Sequence, residues 1–221
     1  MEKETKSRRW KQNPEAVKSD ILRVARSEFA RKGLSGTRIE DIAAGTKTSK
    51  RMIFYYFGDK ESLYEAVLED CYAEVRAGEA ELDLEGLDPV QALRRLIEFT
   101  FEHHRRNPDF IRLVMIENIH EARHMDRMER LHDQNLRAIG VVEKICGAGL
   151  EAGLFREDVS PVALHWQISA FSFFNVANRA TFASNFGAEL FDHDGQALLR
   201  SCAVRSILCS VLARPELIDL P

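Results

Sequence analysis

The sequence has few of the residues that define fibrous, low-complexity and disulfide-stapled proteins. Its 221 residues include only 12 glycines, 6 prolines and 4 cysteines, which excludes collagen-like and low-complexity classes. Cys71, Cys146, Cys202 and Cys209 form no C-x-x-C motif, and we interpret them as reduced thiols of a cytoplasmic protein. Residues 1–13 are almost entirely polar, so we expect no secretory signal.

Signatures of catalysis and of metal binding are also missing. The sequence contains no nucleophile elbow, phosphate-binding loop or glycine-rich dinucleotide fingerprint. Glu117-x-x-His120 and Glu121-x-x-His124 place two histidines four residues apart, a spacing that suits one metal ion. Both motifs share one helix, however, and a di-iron bundle needs two. We therefore favour a solvated acidic and basic face, and predict no metal and no cofactor.

A β-sheet pattern is lacking. Apolar residues, 45% of the chain, recur at helical spacing almost throughout, so we predict an all-α fold. Residues 161–178 carry no charged side chain, but polar side chains recur along this segment, which argues against a membrane span. A helix that is apolar on most sides is buried on most sides. We therefore expect this helix to pack against a second subunit of a homodimer.

Charge is distributed unevenly along the chain. Residues 1–60 hold 15 basic and 8 acidic residues, whereas residues 61–221 hold 16 basic and 27 acidic ones. A basic front end on an acidic body suggests that only the front end meets a polyanion. A chance cluster of solvated charges is the alternative.

Helix-start signals are closely spaced in the first 60 residues. They occur at Asn13-Pro14, Thr37, Ser49 and Asp59. The first helix is predicted to end at Gly33. Three helices, the second and third joined by a tight turn, are the layout of a helix-turn-helix unit.

The polar stretch 78–89 contains two glycines and a proline and is the predicted domain boundary. It gives a front domain of residues 1–78, with the fourth helix as connector, and a helical body of residues 79–221. In the body, helices are predicted from Pro89 and from Asn107-Pro108. A long helix then runs through Met128 to Gly149 or Gly153. Two final helices, the first capped at Ser160-Pro161, span about 161–183 and 195–213.

The third helix is predicted to have two unlike faces. Ile53 and Phe57 are one helical turn apart and should face the core, while Arg51 and Tyr55 point the opposite way. Exposed arginine and tyrosine are costly unless a partner uses them. Arginine can bond guanine bidentately, and tyrosine can touch a thymine methyl group or a phosphate.

These residues resemble the DNA-binding domain of the TetR family of transcriptional regulators, over residues 16–67. The positions that carry the resemblance are Ile21, Leu22, Val24, Ala25, Phe29, Gly33, Thr37, Ile39, Ile42, Ala43, Ser49, Ile53, Tyr55, Tyr56, Phe57, Lys60, Glu61 and Leu63. A weaker similarity, to the effector domain of these regulators, involves Gly149, Gly153, Leu154, Phe155, Arg156 and Asp158.

The resemblance implies a DNA-binding site. Its phosphate-binding positions match Thr37, Tyr56 and Lys60. Its groove-facing positions match Lys50, Arg51 and Tyr55. The turn and helix start, Lys47, Thr48 and Ser49, complete the predicted set.

The sequence departs from the family pattern in and near the turn. Thr46, Lys47 and Thr48 replace the usual Ala-Gly-Val. If Lys47 adopted the left-handed conformation that glycine accepts, the cost would be about 1 kcal/mol. Phe54 lacks the hydroxyl of the usual tyrosine, and Arg51, where a small residue is common, could add base readout.

The basic residues before position 12 are a separate feature. As an arm they could reach an adjacent minor groove, although such tails are more often only solvated.

The predicted function is that of a ligand-responsive transcriptional regulator. The resemblance implies a repressor, because repression is the usual mode in this family. It would bind an inverted-repeat operator in double-stranded DNA as a homodimer. The unknown small-molecule effector is predicted to lie among Phe99, His103, Met115, Ile119, Leu136, Phe171 and Asn175, although these residues could simply fill the core. A helical-bundle enzyme and a regulator without a sensor are the alternatives.

Overall fold

The chain folds into helices, as the sequence predicts. The structure, a computed structural model, describes residues 13–84 and 86–214. The α-helices of this part are α1 (Pro14–Gly36), α2 (Ile39–Gly45), α3 (Lys50–Phe57), α4 (Lys60–Ala80), α5 (Pro89–Arg106), α6 (Pro108–Ile119), α7 (Glu129–Glu151), α8 (Pro161–Ala177), α9 (Arg179–Phe186) and α10 (His193–Val211). Short 3-10 helices occupy Met125–Arg127 and Glu189–Phe191.

Three predicted helix starts are confirmed by capping hydrogen bonds. The side chain of Asn13 accepts a bond from the backbone of Ala16 (3.2 Å), before Pro14. Asp59 accepts from the amide of Ser62 (2.7 Å), and Ser160 from that of Ala163 (3.4 Å). Each bond satisfies an amide that has no partner inside its own helix.

Two caps and one helix differ from the prediction. Ser49 holds the N-cap position of α3, but its side chain makes no capping bond. Thr37 is not a cap, because Arg38 precedes α2. The single helix predicted over 161–183 is broken at Asn178, where ψ is 3°. The chain leaves helical geometry at Gly33 (φ 68°), where the first helix was predicted to end.

The described residues form two compact units. The first contains residues 13–73 and 112–131, and the second contains residues 74–84, 86–111 and 132–214. The boundary near residue 73 falls inside α4, a few residues before the predicted division after residue 78. No local sequence pattern indicates that residues 112–131 group with the N-terminal helices.

The first unit has an apolar core at which its helices converge. α1 contributes Ile21 and Phe29, α2 contributes Ile42 and α3 contributes Ile53, all essentially inaccessible to solvent. Burying side chains of this size stabilises the fold by about 1.5–3 kcal/mol each. This core fixes which face of α3 points inward.

A buried carboxylate joins α4 to α6 in the same unit. Glu117 is 1% exposed. Its Oε1 accepts a hydrogen bond from the Tyr64 hydroxyl (2.8 Å) and lies 2.9 Å from Nδ1 of His124. Its Oε2 accepts from the backbone amide of His124 (3.2 Å). A carboxylate can only accept, so Nδ1 of His124 carries the proton. Burial and the bond to Glu117 raise the pKa of Tyr64 well above its usual range, so Tyr64 remains a donor.

The segment after α6 turns back sharply to make these contacts. Glu121 and Ala122 have φ of 56° and 58°, a left-handed conformation that costs about 1–2 kcal/mol per residue without glycine. The amide of Ala122 bonds the carbonyl of Glu117 (2.8 Å). The strained turn brings His124 onto Glu117.

The prediction of a solvated face for the two Glu-x-x-His motifs is therefore partly wrong. His120 and Glu121 are exposed, but Glu117 and His124 are buried and bonded to each other. The motifs do not lie on one continuous helix, because α6 ends at Ile119.

The second unit is built around α5, α8 and α10. Leu93, Ile97, Ile168 and Leu208 belong to its buried core. Gly149 permits the turn after α7, since a Cβ there would lie 2.2 Å from the Phe155 ring. This turn contains the residues of the weaker family similarity.

His104 of α5 faces this interior. It is buried. Burial, with a smaller effect of the neighbouring cations, lowers the pKa of His104 from 6.5 to about 4. The folded protein therefore holds this imidazole in its neutral form.

None of the helices within residues 13–84 and 86–214 combines the length and hydropathy required to cross a membrane.

The Glu117 cluster makes a prediction about stability. Glu117→Gln keeps the shape of the side chain but weakens the hydrogen bonds that it accepts from Tyr64 and His124. We expect the free energy of unfolding to fall by about 2–3 kcal/mol, measured by urea denaturation. The control is Glu121→Gln, which changes an exposed carboxylate in the same turn and should cost less than about 0.5 kcal/mol. Equal losses in both variants would contradict the assignment.

His104 makes a prediction about pH. Its pKa is about 4 in the folded chain against 6.5 for the free group, so the unfolded chain takes up the proton first as pH falls. The free energy of unfolding is therefore unaffected by the titration of His104 above about pH 6.5. It falls as the pH is lowered toward 4, by up to about 3 kcal/mol. His104→Leu should reduce the pH dependence of urea unfolding between these values. His193→Ala, at an exposed histidine, should leave it unchanged.

Candidate functional site

α3 presents one face to the protein and the other to solvent. Ile53 is 1% exposed, whereas Tyr55 is 76% exposed. Lys50 and Arg51 are exposed in the first turn of the helix. The predicted orientation is confirmed for Ile53 inside and for Arg51 and Tyr55 outside. Phe57, which was predicted to face the core with Ile53, is only half-buried.

The two cations of this face have different surroundings. Lys50 forms an ion pair with Glu40 of α2 and lies over the ring of Phe54, 5.8 Å from its centroid. Arg51 makes no ion pair with any residue of the described ranges. An exposed ion pair is worth at most about 1 kcal/mol, so Lys50 can exchange Glu40 for a phosphate or a base.

The turn between α2 and α3 is anchored to α1. Asp20 accepts a hydrogen bond from the backbone amide of Lys47 (3.0 Å) and another from Arg23 (2.7 Å). Burial raises the pKa of Asp20, but these bonds outweigh it, and the net pKa lies below the usual value. The hydroxyl of Thr46 bonds the carbonyl of Ala43 (3.0 Å).

This arrangement removes the strain considered for the turn. Lys47 is not among the residues with positive φ in the described chain, so the cost of a left-handed lysine does not arise. Lys47 and Ser49 are exposed and Thr48 is half-buried. All three lie beside the start of α3, where backbone amides attract phosphate.

Tyr56 and Lys60 lie at the other end of α3. Both are half-buried. The Tyr56 ring lies 5.2 Å from that of Tyr55, with Lys18 5.9 Å from its centroid. The ammonium of Lys60 donates to the carbonyl of Thr37 (3.1 Å). An ammonium has three N–H donors, so this bond does not exhaust the capacity of Lys60 for phosphate.

Thr37 differs from its implied role. It is buried, and its hydroxyl donates toward the carbonyls of Gly33 (2.8 Å) and Glu28 (3.1 Å). The hydroxyl therefore closes the end of α1 instead of facing solvent. We remove Thr37 from the proposed DNA-contacting set. The basic arm before residue 13 lies outside the described residues.

The seven predicted effector residues do not come together at one pocket. Ile119 is 74% exposed and Leu136 is exposed as well, and Met115 is half-buried. Met115 and Ile119 lie in the first unit, whereas the other five lie in the second. Helical periodicity indicates which face turns inward, but not which residues that face meets.

Phe99 and His103 line a cavity of about 450 Å³ in the second unit. We call it the charged cavity, because four of its eight lining residues carry charged side chains: Arg95, Glu98, Glu102 and Arg106. Hydrogen bonds from Arg105, with a contribution from Arg106, lower the pKa of Glu102. Glu102 thus already has cationic partners.

Phe171 and Asn175 line a different cavity of the second unit, of about 470 Å³. Its wall is almost entirely apolar and includes residues that the sequence analysis missed: Phe101, Trp166, Ala170, Phe174, Phe182, Leu190, Phe191 and Leu199. The sequence does contain a signal for this wall, since six of the 13 phenylalanines lie within residues 171–191.

Within the described chain, no three histidine, cysteine, aspartate or glutamate residues are grouped so that they could hold a metal ion.

Two family descriptions match the chain. Residues 21–67 match "Bacterial regulatory proteins, tetR family", and residues 89–207 match "Tetracyclin repressor-like, C-terminal domain". Together these matches span well over half of the chain. The chain belongs to the TetR family. Members of this family are DNA-binding transcriptional regulators, so this TetR-family protein is a regulator and not an enzyme.

Relatives of known name agree with this assignment. The HTH-type transcriptional repressor NicS of Pseudomonas putida is 36% identical over 186 residues, 84% of this chain and 88% of NicS. The HTH-type transcriptional repressor SCO4008 of Streptomyces coelicolor is 32% identical over 128 residues, 53% of this chain and 62% of that protein.

Solved structures show the same fold. The transcriptional regulator SCO4942 from Streptomyces coelicolor superposes with a TM-score of 0.67 at 21% identity, covering 93% of this chain and 99% of that one. The ketosteroid transcriptional regulator KstR2 of Mycobacterium tuberculosis gives a TM-score of 0.65 at 18% identity, covering 89% and 95%.

The face of α3 makes a prediction for this TetR-family regulator. Arg51→Ala should weaken binding to its specific DNA by about 1–3 kcal/mol and relax the preference at one base position. Lys60→Ala should weaken binding to all sequences and reduce the slope of log affinity against log salt by about one. Titrations of specific and scrambled DNA at several salt concentrations measure both effects.

Lys144→Ala, which removes an exposed charge from the second unit, is the control and should leave DNA affinity unchanged. If Lys60→Ala altered base preference and left the salt slope intact, the two roles would be wrongly assigned.

Proposed function

We propose that this protein is a transcriptional repressor that binds an inverted-repeat operator as a homodimer and releases it when a small effector binds. The observation that carries the proposal is the outward face of α3. Lys50, Arg51 and Tyr55 are exposed there, opposite the buried Ile53. A short helix with guanidinium, ammonium and phenol groups on one face fits the major groove of DNA.

The named relatives support repression as the mode of regulation. NicS and SCO4008 are both named as repressors. A repressor of this kind occupies the operator and competes with polymerase. A protein with this task works in the bacterial cytoplasm, where the chromosome is accessible.

An exposed apolar surface on α8 and α10 supports the homodimer. Trp166 is 69% exposed, and Val162, Phe174 and Leu198 are more than half exposed. Exposed apolar patches of this kind mark interaction sites, and two-fold symmetry lets one patch pair with its own copy. Leu208 of α10 is completely buried and therefore takes no part in this surface.

Release by an effector requires a difference between two states of the dimer. A ligand shifts DNA binding only if it favours a geometry in which the two α3 helices no longer match the operator. By the same linkage, operator DNA must weaken the binding of the ligand. α4 begins beside the DNA-contacting residues and enters the second unit, so we propose it as the transmitting element.

Footprinting on the DNA upstream of its own gene tests the proposal. We expect two protected half-sites related by two-fold symmetry, with centres about one helical turn or more apart. Phe174→Glu places a charge on the proposed interface. By sedimentation at micromolar concentration this variant should be monomeric, and its protection should be lost.

Leu150→Glu, which changes an exposed apolar residue on α7, is the control and should remain a dimer that binds the operator. A wild-type protein that sediments as a monomer, or a Phe174→Glu variant that stays dimeric, would refute the proposed interface.

A further inference from the structure

The apolar cavity of the second unit has the build of a small-molecule site. Its volume is about 470 Å³, within the 300–1,000 Å³ that is typical of such sites. Residues from α5, α8, α9, the second 3-10 helix and α10 surround it. Phe101 of α5, only 2% exposed, lies deep in its wall.

The aromatic wall of the cavity is held in place by ring contacts. The Phe182 ring meets Phe174 nearly edge-on, with centroids 6.4 Å apart and planes at 86°. It meets Phe191 in the same way, at 6.0 Å and 79°. Aromatic groups favour these edge-to-face geometries, so a planar ring that enters the cavity finds ordered partners.

One oriented polar group lines this apolar wall. Asn175 is 8% exposed. Its amide donates to Gln196 (2.9 Å) and accepts from Gln196 (3.0 Å), and Gln196 also donates to the carbonyl of Leu190 (2.9 Å). The carbonyl of Leu190 can only accept, so it identifies the donor end of the Gln196 amide, and the pairing then fixes the orientation of the Asn175 amide. An amide has two N–H donors and two acceptor positions, so Asn175 retains one of each beyond its pair with Gln196.

We propose that this cavity binds a neutral, planar aromatic molecule of one or two rings, whose hydrogen-bonding edge pairs with Asn175. The ligand should be neutral because the residues lining the cavity have no ionisable side chains, and an ion would lose its hydration there without gaining a partner. The polar edge should both donate and accept, to match what Asn175 retains. A few placed polar groups in an apolar wall are the usual basis of ligand orientation.

The location of the cavity connects it to regulation. Trp166 and Phe174 line the cavity and also belong to the surface proposed for dimerisation. A ligand in the cavity therefore touches residues that the second subunit would touch. This consequence rests on the proposed function, whereas the binding of the ligand does not.

Three two-ring probes test the chemistry. The lactam 2-quinolinone is neutral and has both a donor and an acceptor on its edge, naphthalene has no polar edge, and 2-naphthoate is an anion. Trp166 is one of two tryptophans, so its fluorescence in a Trp10→Phe protein reports occupancy. We expect saturable quenching by 2-quinolinone, with one site per chain, and binding about tenfold weaker for naphthalene. 2-Naphthoate should be the weakest of the three.

Two substitutions locate the site. Asn175→Leu should abolish the preference for 2-quinolinone over naphthalene. Ala170→Trp fills the cavity with a side chain and should abolish the binding of both, measured by calorimetry because it adds a fluorophore. Leu82→Trp, which fills the charged cavity instead, is the matched control and should leave both affinities unchanged.

The outcomes separate this inference from the proposed function. Operator binding without ligand is measured for each variant, and failure of the wild-type chain to bind any operator would refute the proposed function while the cavity could still bind its probe. Absent or unsaturable quenching in the Trp10→Phe protein would overturn the inference. Binding that survives Ala170→Trp would overturn it equally.

Discussion

The carboxylate of Glu117 has to find its hydrogen-bond donors inside the protein, because it is shielded from water. Tyr64 supplies one donor from α4, and His124 supplies two from the turn after α6. In that turn Glu121 and Ala122 adopt the left-handed conformation. The fold thus accepts backbone strain in exchange for a satisfied buried charge.

The Glu117 cluster also contacts the core of the helix-turn-helix unit. The Tyr64 ring packs edge-on against Phe29 of α1, with centroids 5.1 Å apart, and also lies 5.0 Å from the His124 ring. Since Phe29 belongs to the core against which α3 rests, the Glu117 cluster helps to set the position of α3. Part of α6 therefore belongs to the unit that holds the proposed DNA-binding residues.

Ion pairs on this unit bear on the proposed contacts with DNA. Asp20 anchors the turn before α3, and Glu40 pairs with Lys50. Arg51 faces solvent and forms no ion pair with a carboxylate of the described chain. A general phosphate contact can be gained by exchanging a weak surface ion pair, whereas a bidentate bond to guanine needs a guanidinium that is free to be oriented. Arg51 is therefore the better placed of the two cations for reading sequence.

Much of the fold and the DNA-facing surface could be predicted from local patterns. The caps at Asn13, Asp59 and Ser160, and the opposed faces of α3, depend on residues close in sequence, so spacing reveals them. The bond from Tyr64 to Glu117 spans 53 positions, and no periodicity reports it. The break at Asn178 involves neither glycine nor proline, the residues that mark helix ends most clearly.

The predicted effector residues also show that local patterns do not reveal long-range contacts. Their positions bear on which cavity of the second unit, the charged or the apolar one, can bind a small ligand. Phe99 and Phe101 are two positions apart on α5, and a helix turns by about 200° over that distance, so they line different cavities. A ligand in the charged cavity must compete with ion pairs that Glu102 already forms with Arg105 and Arg106. A ligand in the apolar cavity gains the burial of its own rings, about 25 cal/mol for each Å², and leaves the pair of Asn175 and Gln196 intact. The apolar cavity can therefore bind a small ligand without breaking an interaction that the folded chain has already made.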